Sequence, residues 1–285
     1  MRCLDAGVEL LGRPRRLLRL RLAGAIDEQR MRGLNERVKI GRQDESDAAA
    51  AFLFEEFDIA FRVQETPLAR RILKTTAEHI VLVAIPLGLG VVIAIPLGIL
   101  AARRERLGHG ILGVFGIIQT IPSLALLALM IPIPGVLALL IPIPGLSAED
   151  RPAIAALALY ALLPLARGAH AGIRAIPPTI EESAEALGLT PVQRLLWVDL
   201  PLAGPSIMSG VKTAAVILIG FATLGALIGA GGYGQPIMTG IRLDSTALIL
   251  EGAIPAALLA VAAQVLFEAL EWLIVPRGLR LKRAT

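Results

Sequence analysis

From residue 107 to residue 148 the chain runs for 42 positions without an Asp, Glu, Lys or Arg. One helix needs about 20 mostly apolar residues to cross a hydrocarbon core of about 30 Å, so this run is too long for a single simple crossing. A second apolar run, 79–101, has the length of one crossing and ends at Arg103, Arg104, Glu105 and Arg106. The composition points the same way. The chain is 55% hydrophobic and 18% charged, against about 25% charged in an average soluble domain. Disorder, a collagen-like fibre and a disulfide-stapled miniature are all excluded. The single cysteine, Cys3, can form neither an internal disulfide nor a thiolate cluster. His79, His109 and His170 lie far apart, and only His79 has an acidic neighbour, Glu78, which makes no metal set.

The prolines divide the long run. Pro122, Pro132, Pro134, Pro142 and Pro144 interrupt a helical ladder, and Ile-Pro-Ile-Pro-Gly occurs at both 131–135 and 141–145. The reading is one span over 111–130, followed by an irregular segment that returns without crossing. Such backbone survives at membrane depth only when packed on protein or lining a cavity. Further spans are expected over 152–165, closed by Arg167, then over 211–230 and 247–275. The total is five, with six as the alternative, in an all-α polytopic membrane protein.

Charge sets the orientation. Arg103, Arg104, Arg106, Arg167, Arg174, Arg194, Arg277, Arg280, Lys282 and Arg283 fall on one side, against Arg151 and Arg242 on the other. Short loops rich in Lys and Arg face the cytoplasm, so the C-terminus is expected inside and, with five spans, the N-terminus outside. The tail, residues 1–66, is polar. Fifteen of the 28 basic and 13 of the 24 acidic residues precede residue 79. Five arginines interrupt residues 10–22, so no signal peptide is visible there.

The stretch 174–207 is polar and sits between spans. Pro177, Pro178 and Thr179 precede Glu181, Glu182 and Glu185 at the start of a short helix, where acids suit the N-terminal dipole. Ala184, Leu187 and Leu189 give that helix an apolar side, and Gly188 stops it. Thr190 is an N-cap with Pro191 at the first helical position. Val192, Leu195, Leu196 and Val198 form the apolar face of a second helix, which Pro201 is expected to end. Such a pair is suited to docking on a soluble partner, or to folding back on its own bundle.

Glu182-Ser183-Ala184, three residues, Gly188, nine residues, then Val198-Asp199-Leu200-Pro201 resembles the "EAA" loop of ABC importer permeases. Ser183 and Val198 are its departures from Glu-Ala-Ala and Ile-x-Leu-Pro. The resemblance covers 67–281 and implies a type I importer permease domain over 67–285, with 174–207 as its coupling loop. Glu182, Ser183, Ala184, Gly188, Val198, Leu200 and Pro201 would be its ATPase-coupling residues. It also implies a separate ABC ATPase subunit that uses ATP and Mg, an extracytoplasmic binding protein and a second permease copy, with no cofactor on this chain and no nucleic-acid partner. Gln119-Thr120-Ile121-Pro122-Ser123, Tyr160-Ala161-Leu162-Leu163-Pro164, Gly229-Ala230-Gly231-Gly232 and Gly252-Ala253-Ile254-Pro255 are similar to permeases for glycine betaine, choline and carnitine. Residues 22–53 resemble the C-terminal end of the matching binding protein, which some relatives fuse to the permease.

Gly229-Ala230-Gly231-Gly232-Tyr233-Gly234 satisfies Gly-x-Gly-x-x-Gly, but it follows a membrane helix where the dinucleotide motif needs a strand. A bent turn between spans accounts for it. No Gly-x-x-x-x-Gly-Lys-[Ser/Thr] occurs, so no ATPase or other enzyme activity is expected of the chain itself. Polar groups within spans are sparse. Gln119, Thr120, Ser123, Thr213 and Thr223 are candidates for a translocation path, their plainer role being helix-to-helix hydrogen bonding. An ion-coupled transporter or channel is the alternative, and it would usually carry intramembrane charges. Only Lys212 and glutamates near span ends, such as Glu251, Glu268 and Glu271, qualify.

Overall fold

The computed structural model describes residues 26–41, 45–57, 66–132 and 150–274. The doubled Ile-Pro-Ile-Pro-Gly segment from 133 onward, Cys3 and the basic cluster at 277–283 lie outside them, as does part of the receptor-like stretch 22–53. The chain falls into two compact units, Met1–Leu68 and Ala69–Thr285.

In the first unit, α1 (Glu28–Lys39) starts at Asp27, whose carboxylate accepts from the Arg30 N–H at 2.8 Å. It faces α2 (Glu45–Phe57) through Arg30–Glu56 at 2.9 Å and Arg37–Glu55 at 3.3 Å. Ala48 and Phe52 are buried, and Phe52 meets Phe57 edge-on.

The second unit begins with α3 (Leu68–Arg103), 36 residues that carry the expected span 79–101 with three further turns at its start. At 1.5 Å per residue it is about 54 Å long, well beyond the hydrocarbon thickness. Next come α4 (Glu105–Thr120) and α5 (Ser123–Met130). The expected single span 111–130 is therefore two helices, bent by 96° at Ile121 and Pro122. Pro122 has no N–H to continue the ladder, and at the break the Ile121 carbonyl accepts from the buried Tyr160 hydroxyl. The bend is thus held by a helix that follows later in the chain.

That helix is α6 (Asp150–Arg174), 25 residues rather than the expected 152–165. Arg167 does not close it. Its side chain points outward and is exposed, so the helix continues past it for two more turns. α6 is the centre of the unit: most of its apolar residues are buried, whereas most of those in α3 are not. Its alanines and glycines make this possible. Gly90 and Gly98 of α3 lie against Ala161, Leu165, Ala166 and Ala169 so closely that an added Cβ would sit 2.5–3.0 Å from them. Small residues that let helix backbones approach are how packing is gained in lipid.

The short α7 (Pro178–Ala186) and α8 (Pro191–Arg194) follow. Pro201 does not end the second short helix. The chain passes from α8 through a π-helical turn, Leu195–Asp199, straight into α9 (Leu200–Ala222). The π turn is the reason. Its i→i+5 bonding, with the Leu200 N–H reaching the Leu195 carbonyl, makes room one turn before a proline that cannot donate. α9 packs on α6 along Gly168, Gly172, Ala203 and Gly210, and the Ser206 hydroxyl donates to the Gly168 carbonyl at 2.9 Å.

A 3₁₀ turn, Thr223–Ile228, closes α9 and packs against α5. At this change of pitch the Thr223 N–H bonds back to the Gly220 carbonyl. The Ile219 carbonyl instead takes His79 Nε2 at 3.1 Å, which fixes the proton on that nitrogen. The glycine-rich turn then wraps the Glu78–His79 pair. Gly229 and Gly232 have φ of 90° and 84°, and the Gly232 N–H donates to Glu78 Oε2 at 3.0 Å. A side chain on Gly231 would collide with Glu78, so these glycines serve a close backbone approach. The sequence reading had only a bent turn here. Beyond it lies a helix that reading did not contain, α10 (Gly234–Leu243), ended by Asp244 at φ 56°. α11 (Thr246–Ile274) packs on α9 and α10.

Candidate functional site

Ion pairs fix which helix ends lie together. Arg103, the last residue of α3, reaches Asp199 at 2.6 Å, and Arg174, the last of α6, lies 3.8 Å from Glu105 at the start of α4. These arginines and the 178–199 segment therefore share one end of the unit. At the opposite end, Arg71 near the start of α3 meets Glu251 near the start of α11 at 2.6 Å. α4 accordingly starts at the arginine-rich end, and α6 ends there. Lys212 pairs with Glu268 at 3.6 Å, so the polar groups flagged within or near the spans as candidate ion sites are in part engaged with one another.

The 178–199 segment forms a knuckle. Pro178 starts α7 at a position where no intrahelical donor is needed, and Gly188, at φ 74°, turns the chain out of it. A capping box then starts α8: the Gln193 N–H donates to the Thr190 hydroxyl, and the Gln193 side chain accepts from the Thr190 N–H at 2.9 Å. Ala184 is buried, whereas Leu187 is 80% exposed, Val192 64%, Leu196 54% and Trp197 64%. Four large apolar side chains on one short, capped segment are a surface that water does not favour. Of the other expected coupling residues, Glu182 and Ser183 are exposed, the Ser183 hydroxyl donating to the Thr179 carbonyl at 2.7 Å. Gly188 and Pro201 are exposed, and Val198 and Leu200 are half-buried.

Two residues that the spacing pattern leaves unassigned hold the knuckle together. Arg194 reaches Glu181 at 2.9 Å, Glu185 at 3.1 Å and Asp199 at 3.6 Å. Asp199, only 1% exposed, accepts from Arg103 as well. Nothing local in the sequence marks either residue, because their partners lie up to 96 positions away. Beside them, Ala102, Ile173, Ile176 and Ala203 form a small apolar cluster against which Ile99, Ile180, Leu202 and Ile207 pack. A cavity of about 590 Å³ is lined by residues of both the knuckle and the helix ends, among them Arg103, Ile176, Glu181, Leu189 and Arg194.

The candidate path residues are divided. Gln119, Thr120 and Ser123 flank the α4–α5 break, and Thr223 opens the 3₁₀ turn that packs on α5. Thr213 lies on an exposed side of α9. The hydroxyls of Thr120, Thr213 and Thr223 donate to carbonyls of their own helices, at 2.7, 2.8 and 2.7 Å.

A bundle of broken, closely packed helices carrying a capped apolar knuckle at its arginine-rich end is the architecture of a transport permease. Residues 94–278 match the family model of the binding-protein-dependent transport system inner membrane component, and the chain belongs to that family. It is 39% identical over 209 residues to the choline transport system permease protein OpuBB of Bacillus subtilis (strain 168), a match covering 73% of this chain and 91% of that one. It is 37% identical over 205 residues to the osmoprotectant import permease protein OsmW of Salmonella typhimurium, covering 72% and 92%. A third relative, the Bacillus subtilis glycine betaine/carnitine/choline permease OpuCB, is 35% identical over 209 residues, covering 73% and 91%. Among solved structures, an inward-facing form of the MetNI methionine ABC transporter aligns with TM-score 0.65 at 21% identity, over 75% of this chain and all of that one. That likeness shows the fold. The chain is a multi-pass inner-membrane transporter subunit of all-α, ABC-importer permease architecture, and its family does not favour the ion-coupled alternative.

Proposed function

We propose that the chain is the permease of an ATP-driven importer for small quaternary amines of the glycine betaine, choline and carnitine class. Its knuckle docks in a cleft of a separate ABC ATPase subunit, which binds and hydrolyses Mg-ATP; the chain itself holds no ATPase site or cofactor. Two permeases enclose the path, with Gln119, Thr120, Ser123, Thr213 and Thr223 as its sparse neutral lining, and an extracytoplasmic binding protein delivers cargo. The observation that carries this reading is the exposed apolar set Leu187, Val192, Leu196 and Trp197 on a segment braced by Arg194 and Asp199. Stable helices do not hold four such residues out of the bundle without something to cover them. The relatives' names support the substrate class.

The test is uptake of radiolabelled choline, glycine betaine and carnitine into liposomes holding the chain with its ATPase and binding protein. Uptake should require ATP and persist when ionophores collapse ion gradients. Uptake that survives ATP depletion and disappears with the gradient would overturn the reading.

In this orientation the knuckle and C-terminus are cytoplasmic, and residues 1–66 are extracytoplasmic, a receptor fragment or its remnant. Cys3, the only thiol, provides the measurement. A membrane-impermeant maleimide applied to sealed right-side-out membranes should label it as fully as after detergent. Labelling only after permeabilisation would place the tail in the cytoplasm and end the receptor-fragment idea.

A further inference from the structure

We infer that Asp199 is the positioning residue through which movement of the knuckle reaches α3; the inference rests on the docking reading above. Asp199 falls at the one unspecified position of the Val198-Asp199-Leu200-Pro201 element, and at 1% exposure it cannot touch a docked partner. What it touches is internal. Its Oδ2 accepts from Arg103, the last residue of α3, and lies 3.6 Å from Arg194 Nε. Arg194 in turn grips Glu181 and Glu185 of α7. The line of contact runs from the exposed knuckle through Arg194 and Asp199 to the end of a 36-residue helix.

The local backbone is shaped for this joint. In an α-helix, residues five apart face about 140° away from each other. The π turn Leu195–Asp199 brings Arg194 and Asp199 onto one side, where a regular helix would turn the carboxylate away. A cavity lies beside Arg103 and Arg194, next to the apolar contact that Ile180 of the knuckle makes with the helix-end cluster. Ion pairing joins the knuckle to the helix ends alongside that apolar contact. A buried carboxylate also cannot exchange its guanidinium partners for water cheaply, so a moving knuckle takes Arg103 with it.

The experiment uses the full chain with its ATPase and binding protein in liposomes. ATP hydrolysis and import are measured on the same preparation, with whichever of the three radiolabelled amines the uptake test selects. Asp199→Asn and Arg103→Gln should each keep the ATPase bound and raise the ATP hydrolysed per substrate imported about fivefold. Arg103→Lys, which keeps the charge, should restore the wild-type ratio. The double variant should be no worse than either single one, as expected of two residues acting through one contact. A merely structural role would lower hydrolysis and import together and leave their ratio unmoved, and that result overturns the inference. So does a double variant whose ratio is the product of the two single effects. If the ratio stays wild-type in Asp199→Asn while Gly188→Asp loses stimulated hydrolysis, the joint fails and the docking reading stands. If Gly188→Asp also leaves stimulation unchanged, both fail.

Discussion

Replacing Gly210 by alanine should destabilise the permease unit by about 1–3 kcal/mol, although alanine is the better helix former. A Cβ at Gly210 would sit 2.7 Å from the Pro164 carbonyl oxygen and 3.1 Å from the Gly168 Cα. Both are backbone atoms of α6, so no rotamer can yield, and α6 or α9 must shift. α6 also braces the α4–α5 bend through Tyr160, so a shift there spreads. Six residues earlier on α9, Gly204 has nothing within 4 Å of its Cβ position. Gly204→Ala should therefore have the opposite sign, stabilising by up to about 1 kcal/mol through helix propensity alone. Thermal unfolding of the two variants in detergent, compared with the parent, measures both. Equal shifts in one direction would mean that α6 and α9 are not packed backbone to backbone at this seam.

Gly188→Asp should abolish coupling while leaving the bundle folded. Gly188 has φ 74° and open space around its Cβ position, so the intramolecular cost is the left-handed conformation, about 1–2 kcal/mol and least for Asp and Asn. The intermolecular cost is larger. The residue adjoins Leu187, 80% exposed, and on the docking reading a carboxylate beside that apolar side chain would be desolvated without a partner. Receptor-stimulated ATP hydrolysis should fall at least about tenfold, the equivalent of 1.4 kcal/mol of lost docking. The unfolding midpoint should move little. Unchanged stimulation would remove the coupling role from the knuckle.

Much of this protein was legible locally. Lipid as its solvent followed from apolar runs ending in arginine clusters, and a chain that must satisfy its own backbone in lipid has few architectures open to it. The stop at Gly188 and the start at Thr190-Pro191 were legible for the same reason: a left-handed turn and an N-cap are decided by one or two residues and their immediate neighbours. Proline was read less well, because its effect depends on what lies around it. Pro122 bends the chain, with the Tyr160 hydroxyl taking the Ile121 carbonyl, while Pro164 and Pro201 stay within or at the start of a helix. At Pro201 a π turn supplies the space. Arg167 looked like an end, yet it merely points outward from a helix that continues.

What only the tertiary structure decided is the set of pairings between distant residues. Arg103 with Asp199, the glycine turn with Glu78 and His79, and Gly210 with Pro164 each join positions tens of residues or more apart. No periodicity or motif encodes such a partner, because the two chemistries are ordinary until packing desolvates them together. The sequence by itself determined the solvent, the long apolar spans and the turn and cap of the knuckle; the burial of Asp199 between two arginines came from how the helix ends meet.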